Sequence, residues 1–282
     1  MTILRAQHLG MCFGVRDAIA LAKQSAKTGP LTILGELVHN QTVLDDLQSS
    51  GIEIESRLDQ VQTRRAMITA HGASQKRINA AKQHGLELLE ATCPLVQVAH
   101  RAVQSLAQKG FHLIIIGKRD HVEVIGMTED LEKYDVVLSP EDVQNLQEHP
   151  RFGIAAQTTQ PIEKVRALVQ LIRQRFPAAE VRFVDTVCQP TKQRQHAAED
   201  LAKKCDLVIV IGGAHSNNTR ELVQTCSKFC NRVHHIQSPD DLNPDWWSGD
   251  ETIGITAGTS TPDVLIDAVE QKIQSLVFSY EH

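Results

Sequence analysis

The chain has 282 residues, of which 41% are hydrophobic and 22% charged, and its formal net charge is -5. Such a composition is ordinary for a globular protein, while the acidic balance and the aromatic content of 4% argue against a nucleic-acid-binding protein. No apolar run has the length of a transmembrane helix, and Arg5 and His8 interrupt the short apolar start where a signal peptide would lie. We therefore expect a cytoplasmic protein that does not associate with membranes or nucleic acid. In that reducing compartment its six cysteines are expected to be metal ligands, catalytic groups or buried side chains rather than disulfides.

Three of the cysteines each follow a strand-like apolar run and precede a helix. Cys12 comes after Ile3-Leu4, Cys93 after 86–89, and Cys188 after 181–184. A helix N-terminus favours negative charge through its free N–H groups and its dipole. A cysteine in this place is suited to be a nucleophile or a metal ligand.

The surroundings of these cysteines repeat along the chain. A glycine that ends an apolar run lies 23 or 24 residues after each cysteine, at Gly35, Gly117 and Gly212, and a polar loop follows each glycine. The runs before the glycines are typical of buried parallel strands. The sequence therefore predicts an α/β fold of three similar domains, each with four short parallel strands and intervening helices. The predicted domains are residues 13–93, residues 94–184, and residues 185–282 joined by the first strand and Cys12 from residues 1–12.

Each repeat also contains a short strand followed by serine and acidic residues. Ser56, Ser139-Pro140 and Ser238-Pro239 occupy this position. Serine before proline and acids is typical of a helix N-terminus, so each of these segments is predicted to begin a helix.

Polar residues lie in the loops that follow the predicted strands, where parallel sheets bind their ligands. The candidates are His39, His71, His121, Ser216, Asn218 and Ser260. Neutral or cationic donors of this kind suit an anionic group such as a phosphate. Glu123 in the same set of loops is a candidate for proton transfer, and Thr158 a candidate for holding a water or a substrate hydroxyl. For any one of these residues taken alone, helix capping or a surface role is the simpler interpretation.

Three cysteines that meet at a pseudo-threefold centre would suit an iron–sulfur cluster with one open iron. Buried structural thiols, a zinc site and a catalytic thiol remain alternatives, although structural zinc usually shows closely spaced cysteine pairs. The other three cysteines, Cys205, Cys226 and Cys230, are expected to be inert core residues.

The chain resembles the hydroxymethylbutenyl diphosphate reductase family from about Met1 to Leu276. The resemblance depends on motifs that occur in a fixed order: Gly10-x-Cys12-x-Gly14-Val15, Glu36-Leu37-Val38-His39-Asn40, Ala70-His71-Gly72-x-Ser74, Ala91-Thr92-Cys93-Pro94-Leu95-Val96, His121-x-Glu123-Val124, Gln157-Thr158-Thr159, Cys188-x-x-Thr191-x-x-Arg194-Gln195, Ser216-x-Asn218-Thr219 and Thr256-Ala257-Gly258-x-Ser260-x-Pro262-Asp263.

This resemblance implies a trefoil of three α/β domains around a [4Fe-4S] cluster whose ligands are Cys12, Cys93 and Cys188. It also implies that ferredoxin or flavodoxin supplies two electrons one at a time, that the hydroxyl of an allylic diphosphate leaves as water, and that isopentenyl and dimethylallyl diphosphate form. Glu123 matches the family's proton-delivering acid, and Thr158 and His121 accompany it. The implied diphosphate pocket consists of His39, His71, His121, Thr158, Ser216, Asn217, Asn218 and Ser260.

Four residues depart from the family's usual pattern. Lys118 and Val122 replace a histidine and a proline, Asn217 replaces a serine, and Pro190 replaces a small residue. None of them removes a cluster ligand or the acid. They leave open a paralogue that reduces a different alcohol, and a non-catalytic iron–sulfur redox protein is the further alternative.

Overall fold

The computed structural model describes residues 1–246 and 250–278. The strands are β1 Thr2–Arg5, β2 Thr32–Leu34, β3 Glu53–Glu55, β4 Arg65–Ile68, β5 Glu87–Glu90, β6 His112–Ile116, β7 Tyr134–Val137, β8 Arg151–Ala156, β9 Glu180–Phe183, β10 Leu207–Ile211, β11 Val233–Ile236 and β12 Thr252–Ala257. The α-helices are α1 Phe13–Ala26, α2 Gln41–Ser49, α3 Gln75–Gln83, α4 Pro94–Gln108, α5 Val122–Thr128, α6 Pro140–Gln144, α7 Ile162–Arg175, α8 Gln189–Ala202, α9 Asn217–Cys226 and α10 Asp263–Phe278.

Within the described residues these strands form three parallel sheets of four strands each. The orders are β5-β4-β2-β3, β9-β8-β6-β7 and β1-β12-β10-β11, so strands with equivalent places in the repeat occupy equivalent places in their sheets. In each sheet the strand before a cysteine lies at one edge. The prediction of three similar α/β domains is confirmed. β1 pairs in parallel with β12, with Leu4 opposite Gly254, so the first strand joins the third sheet as predicted.

The chain separates into two compact units. The smaller unit consists of residues 1–15, 39–43 and 189–282 and contains the third sheet; the larger consists of residues 16–38 and 44–188 and contains the other two. The finer domain boundaries predicted at residues 93 and 184 stay a prediction, and residues 247–249 and 279–282 of the third predicted domain lie outside the described residues.

The apolar patterns explain why these segments fold as they do. Every residue of β10 is buried, as expected for a strand that helices cover on both faces of a parallel sheet. On α4 the buried residues are Val96, Ala99, Val103 and Leu106. This spacing places them on one stripe of the helix, which packs against the second sheet with Leu113 and Ile115 of β6.

The serine-acidic segments differ from one another in the structure. Ser139 begins α6 with a reciprocal capping box, in which Asp142 also takes part. The other two segments form only single 3-10 turns, at Leu58–Gln60 and Pro239–Asp241. In the first, Arg57 rather than Ser56 occupies the cap position and makes no side-chain capping bond. In the last, Pro244 follows closely and disfavours continued helix at the residue before it.

No helix in the part of the chain that the structure describes combines the length and the apolarity required to cross a membrane.

Candidate functional site

All three candidate ligand cysteines are held in the same way by the backbone. Each is the last residue before a helix: Cys12 precedes α1, Cys93 is the N-cap of α4, and Cys188 precedes α8. The Cys12 N–H donates to the Thr259 carbonyl at 3.1 Å, and the Cys93 N–H donates to the Ala70 carbonyl at 3.0 Å. The Cys188 N–H likewise donates to the Thr158 carbonyl at 3.0 Å. Each acceptor lies in the polar loop of the neighbouring strand, so each cysteine is fixed to a loop that contains candidate binding residues.

In the smaller unit a group of polar side chains is buried around Asn218, which is 1% exposed. Its Oδ1 accepts a hydrogen bond from the Thr259 N–H at 3.0 Å. Its buried Nδ2 has no hydrogen-bond partner among the described residues. A buried donor without a partner is costly, and an anionic ligand that accepts from this amide would remove that cost.

Three neighbours of Asn218 complete this group. Ser216 is the N-cap of α9, and its Oγ accepts from the Thr219 N–H at 3.3 Å. Asn217 is the first residue of the same helix and is buried. Ser260 is also buried, and its Oγ donates to the His39 carbonyl at 3.2 Å. The smaller unit therefore brings the start of α9 and Ser260 together at the loop whose Thr259 carbonyl accepts from the Cys12 N–H.

In the larger unit the rings of His71 and His121 meet edge to face, with centroids 5.7 Å apart. His121 is the N-cap of α5 and is buried. Its Nδ1 accepts a hydrogen bond from the Glu123 N–H at 3.1 Å. Because that nitrogen is an acceptor, the neutral ring holds its proton on Nε2. His121 can therefore offer an N–H donor to a ligand while it caps its own helix.

Glu123 and Thr158 form a buried acid–hydroxyl pair in the same unit. The Thr158 N–H donates to Glu123 Oε1 at 2.6 Å, and the Thr158 hydroxyl donates to Oε2 at 2.9 Å. The Thr158 carbonyl is also the acceptor for Cys188. One residue thus contacts both the predicted acid and a predicted ligand, and the sequence motifs did not indicate these contacts.

The surroundings of Glu123 determine its proton affinity. Its side chain is 1% exposed. Burial raises the pKa of its carboxyl to about 7, because desolvation disfavours the charged form more than the two bonds from Thr158 favour it. A carboxyl group with this pKa is present in both protonation states near neutral pH, as general acid–base chemistry requires.

Three of the four unusual residues lie in the first turn of a helix, and Lys118 lies in the loop before α5. Lys118 Nζ is 3.1 Å from Asp120 Oδ2, so an acid partly balances the charge that the lysine adds to this loop. Val122 is the first residue of α5 and Pro190 the second of α8. The N–H groups of a first helical turn have no partner within the helix, so either proline or another residue is tolerated at these positions. Buried Asn217 places an additional amide among the anion-binding candidates.

Sequence reasoning missed the role of Arg194, although it was part of a quoted motif. This buried side chain donates from Nε and Nη2 to the Gly10 carbonyl, at 2.9 Å and 2.6 Å, and from Nη1 to the Pro190 carbonyl. It fixes the turn two residues before Cys12. Only the burial of a charged residue would have indicated this role, and the sequence does not display burial.

The remaining cysteines lie in or beside a core, although α9 ends at Cys226 and so Cys230 is not on the helix that was predicted to contain both. Cys226 and Cys230 lie in a core cluster of the smaller unit, with Cys205 packed against it. Burial raises the pKa of Cys205 to about 11 and that of Cys226 to about 12. These thiols are therefore protonated at neutral pH, in keeping with a structural role.

Among the described residues, no group of three His, Cys, Asp or Glu side chains surrounds a point that would suit a single metal ion. In a cubane cluster each cysteine binds a different iron, so a set of cluster ligands does not have that form.

The sequence matches the family described as LytB protein over residues 3–274. It is 37% identical to 4-hydroxy-3-methylbut-2-enyl diphosphate reductase of Caldanaerobacter subterraneus subsp. tengcongensis, covering 98% of both chains. With the same-named protein of Aquifex aeolicus it shares 35% identity, covering 97% of this chain and 96% of that one.

Two solved structures are similar along almost the whole chain. The first is a reductase of the same name, described as the terminal enzyme of the non-mevalonate pathway, with 34% identity, a TM-score of 0.69, and coverage of 98% of this chain and 100% of the other. The second is the E-1-hydroxy-2-methyl-but-2-enyl-4-diphosphate reductase from Plasmodium falciparum, with 29% identity, a TM-score of 0.90, and coverage of 98% and 87%.

Proposed function

This chain belongs to the LytB protein family, and on that premise we propose that it reduces 4-hydroxy-3-methylbut-2-enyl diphosphate to isopentenyl and dimethylallyl diphosphate. The reaction consumes two electrons and two protons, replaces the C–O bond by a C–H bond, and releases the hydroxyl as water. The observation that supports it most directly is the buried Glu123–Thr158 pair, because the reaction needs a proton donor that is protonated near neutral pH.

We assign the cofactor as a [4Fe-4S] cluster bound by Cys12, Cys93 and Cys188. These three thiols suit it because thiolates are the usual ligands of such clusters, and all three have the same backbone setting at a helix N-terminus. The three remaining cysteines contribute to or pack against a core cluster instead. When bound, the cluster supplies the electrons for the reduction and keeps one iron without a protein ligand.

The diphosphate is assigned to the donors of the polar loops. The buried Asn218 Nδ2 is an N–H group that an anionic oxygen can satisfy, and His121 Nε2 carries the ring proton because Nδ1 accepts from the Glu123 N–H. The full set proposed for the diphosphate is His39, His71, His121, Thr158, Ser216, Asn217, Asn218 and Ser260. Neutral amides, hydroxyls and imidazoles at helix N-termini can bind a diphosphate by hydrogen bonds, so the pocket does not need many positively charged side chains.

Glu123 is the proposed source of the proton that converts the departing hydroxyl to water. When protonated, its carboxyl group donates to the Thr158 hydroxyl, whose own proton then turns towards the substrate. The Thr158 N–H stays on the other carboxyl oxygen and holds the acid in place. His121 connects the two functions, since it caps the helix on which Glu123 lies.

A ferredoxin or flavodoxin is the proposed electron donor, and the cytoplasm the proposed location. No contact described above identifies the electron donor or the location. Both are therefore proposed from the family alone.

Anaerobic reconstitution with iron and sulfide, followed by an assay with reduced methyl viologen and the diphosphate alcohol, tests this function. We expect a brown protein with four irons per chain, visible absorption that dithionite bleaches, and consumption of the alcohol. A colourless protein that retains only zinc would refute the cofactor. A brown protein without turnover would instead favour a paralogue whose substrate differs, with Lys118, Val122 and Asn217 as the residues to revert first.

A further inference from the structure

Two acidic residues at the end of α5 bind the start of α3, about 55 residues earlier in the chain. We call Glu129 and Asp130 the acidic clasp. Asp130 accepts from two backbone N–H groups of the first helical turn, that of Gln75 at 2.6 Å and that of Lys76 at 2.9 Å. Glu129 accepts from the hydroxyl of Ser74, the N-cap of α3. The helix α3 connects β4 to β5 of the first sheet, and its first turn is capped by residues that lie between β6 and β7 of the second sheet in the same unit.

The clasp lies at one end of α5, and the two histidines meet at the other. His121 is the N-cap of α5, and its ring contacts His71. His71 itself lies three residues before Ser74, so the loop 71–74 is attached to α5 at both ends. A short helix contacted at both ends has a fixed position relative to the loop.

Between these two attachments the backbones of the loop and the helix come close together. A Cβ at Gly126 would lie 3.6 Å from the Ala73 Cα and 3.3 Å from His100 Cε1, so the backbones approach closely there. Two cavities, of about 160 Å³ and 230 Å³, border this contact, and Gly72 and Ala73 line both. Because side chains beside a cavity lose dispersion contacts on that side, the hydrogen bonds of the clasp are well placed to hold the loop against α5.

We propose that Glu129 and Asp130 are positioning residues that hold His71 beside His121 and thereby set the affinity for the diphosphate group. The inference rests on the proposed diphosphate role of the two histidines. Donors that are already in place bind an anion without paying to order a loop. The clasp does not contact the acid–hydroxyl pair, so its loss should weaken binding far more than it slows the removal of the hydroxyl.

The test compares Asp130→Ala with Asp142→Ala in the reconstituted protein. Asp142 is a matched control because its carboxylate also accepts from two backbone N–H groups, those of Leu138 at 2.8 Å and Ser139 at 2.9 Å, but caps a helix outside the proposed site. Titration calorimetry with inorganic diphosphate and steady-state kinetics with the diphosphate alcohol give the two readouts. We expect Asp130→Ala to raise both the Kd of diphosphate and the KM about tenfold, with kcat within a factor of two.

The control should lower the melting temperature by a similar amount without changing Kd or KM. Asp130→Asn keeps one acceptor oxygen and is expected to lie between Asp130→Ala and the unmodified protein. The pair Ser74→Ala and Glu129→Ala should be strongly non-additive in diphosphate binding, because either variant removes the hydrogen bond between these two side chains.

A Kd and KM unchanged in Asp130→Ala, with only the melting temperature lowered, would reduce the clasp to an ordinary helix cap and overturn the inference. Failure of the unmodified protein to bind diphosphate at all would overturn both this inference and the proposed pocket. If the unmodified protein binds diphosphate but does not reduce the alcohol, only the proposed reaction is refuted, and the Asp130 comparison still decides the role of the clasp by binding alone.

Discussion

The pKa of Glu123 predicts how the stability of the protein depends on pH. Burial raises this pKa from an ordinary value of 4.5 to about 7. Between these two values the folded chain keeps a proton that the unfolded chain has released, so the free energy of unfolding falls as pH rises through this window. At about 1.4 kcal/mol per pH unit, the total loss attributable to this carboxyl is about 3 kcal/mol.

Glu123→Gln removes this dependence with little change in shape. A glutamine side chain is neutral at every pH, and its oxygen can still accept from the Thr158 N–H. The variant should therefore match the unmodified protein in stability near pH 4.5 and exceed it by about 3 kcal/mol at pH 8. The same variant should retain the cluster and bind the substrate but turn over very slowly, since it has no proton to give.

The measurement is urea unfolding of the cluster-free forms of both proteins at several pH values from 4.5 to 8. The difference between the two unfolding free energies isolates Glu123, because distant titrating groups contribute equally to both. A difference that does not change with pH would refute the raised pKa. Normal turnover by the glutamine variant would refute the assignment of the acid.

Three further outcomes are expected. Thr158→Val removes a hydroxyl that favours the charged carboxylate, so it should move the pH window of the acid upward by about one unit and lower kcat; an unmoved window in the same urea series would contradict the contact. Arg194→Lys cannot make both bonds to the Gly10 carbonyl, and we expect it to lower the free energy of unfolding by about 2 kcal/mol, which thermal and urea denaturation would detect. Cys93→Ser should lose iron and nearly all activity, whereas Cys205→Ser should keep both; equal iron content in the two variants would exclude Cys93 as a ligand.

The architecture could be predicted from the sequence because it is repeated. A buried parallel strand such as β10 has a continuous apolar run, and the glycine at each strand end falls at nearly the same distance from each cysteine. Any one of these short segments is ambiguous between strand and buried helix. Three occurrences in the same order resolve that ambiguity, and they also predicted that the first strand joins the third sheet.

The short helices were less predictable for a physical reason. The capping signal at Ser139 produced a helix, while a similar signal at Ser238 produced only one 3-10 turn. A cap satisfies the first N–H groups of a helix but does not supply the buried apolar face that stabilises its later turns. Val143 on α6 provides such a face, and the turn after Ser238 has no buried residue.

The sequence could propose a set of site residues but not the contacts between them. Motif order identified Glu123 and Thr158, yet only the fold shows that two bonds join them. Arg194 and Asp130 had no distinguishing signal, because their partners are backbone groups that any sequence contains. Asp130 in particular caps a helix that begins 55 residues earlier, a distance over which no local pattern gives information.

The contacts of Thr158 connect the proposed acid with a proposed cluster ligand. Its N–H and hydroxyl hold the acid, and its carbonyl holds the N–H of Cys188. These groups all belong to Thr158, so a displacement of Cys188 that moves this residue also moves the donors that bind Glu123. Because these donors lower the pKa of the acid against the opposing effect of burial, loosening the cysteine loop should raise that pKa further. The availability of the proton is therefore linked through a single residue to the seating of a proposed cluster ligand.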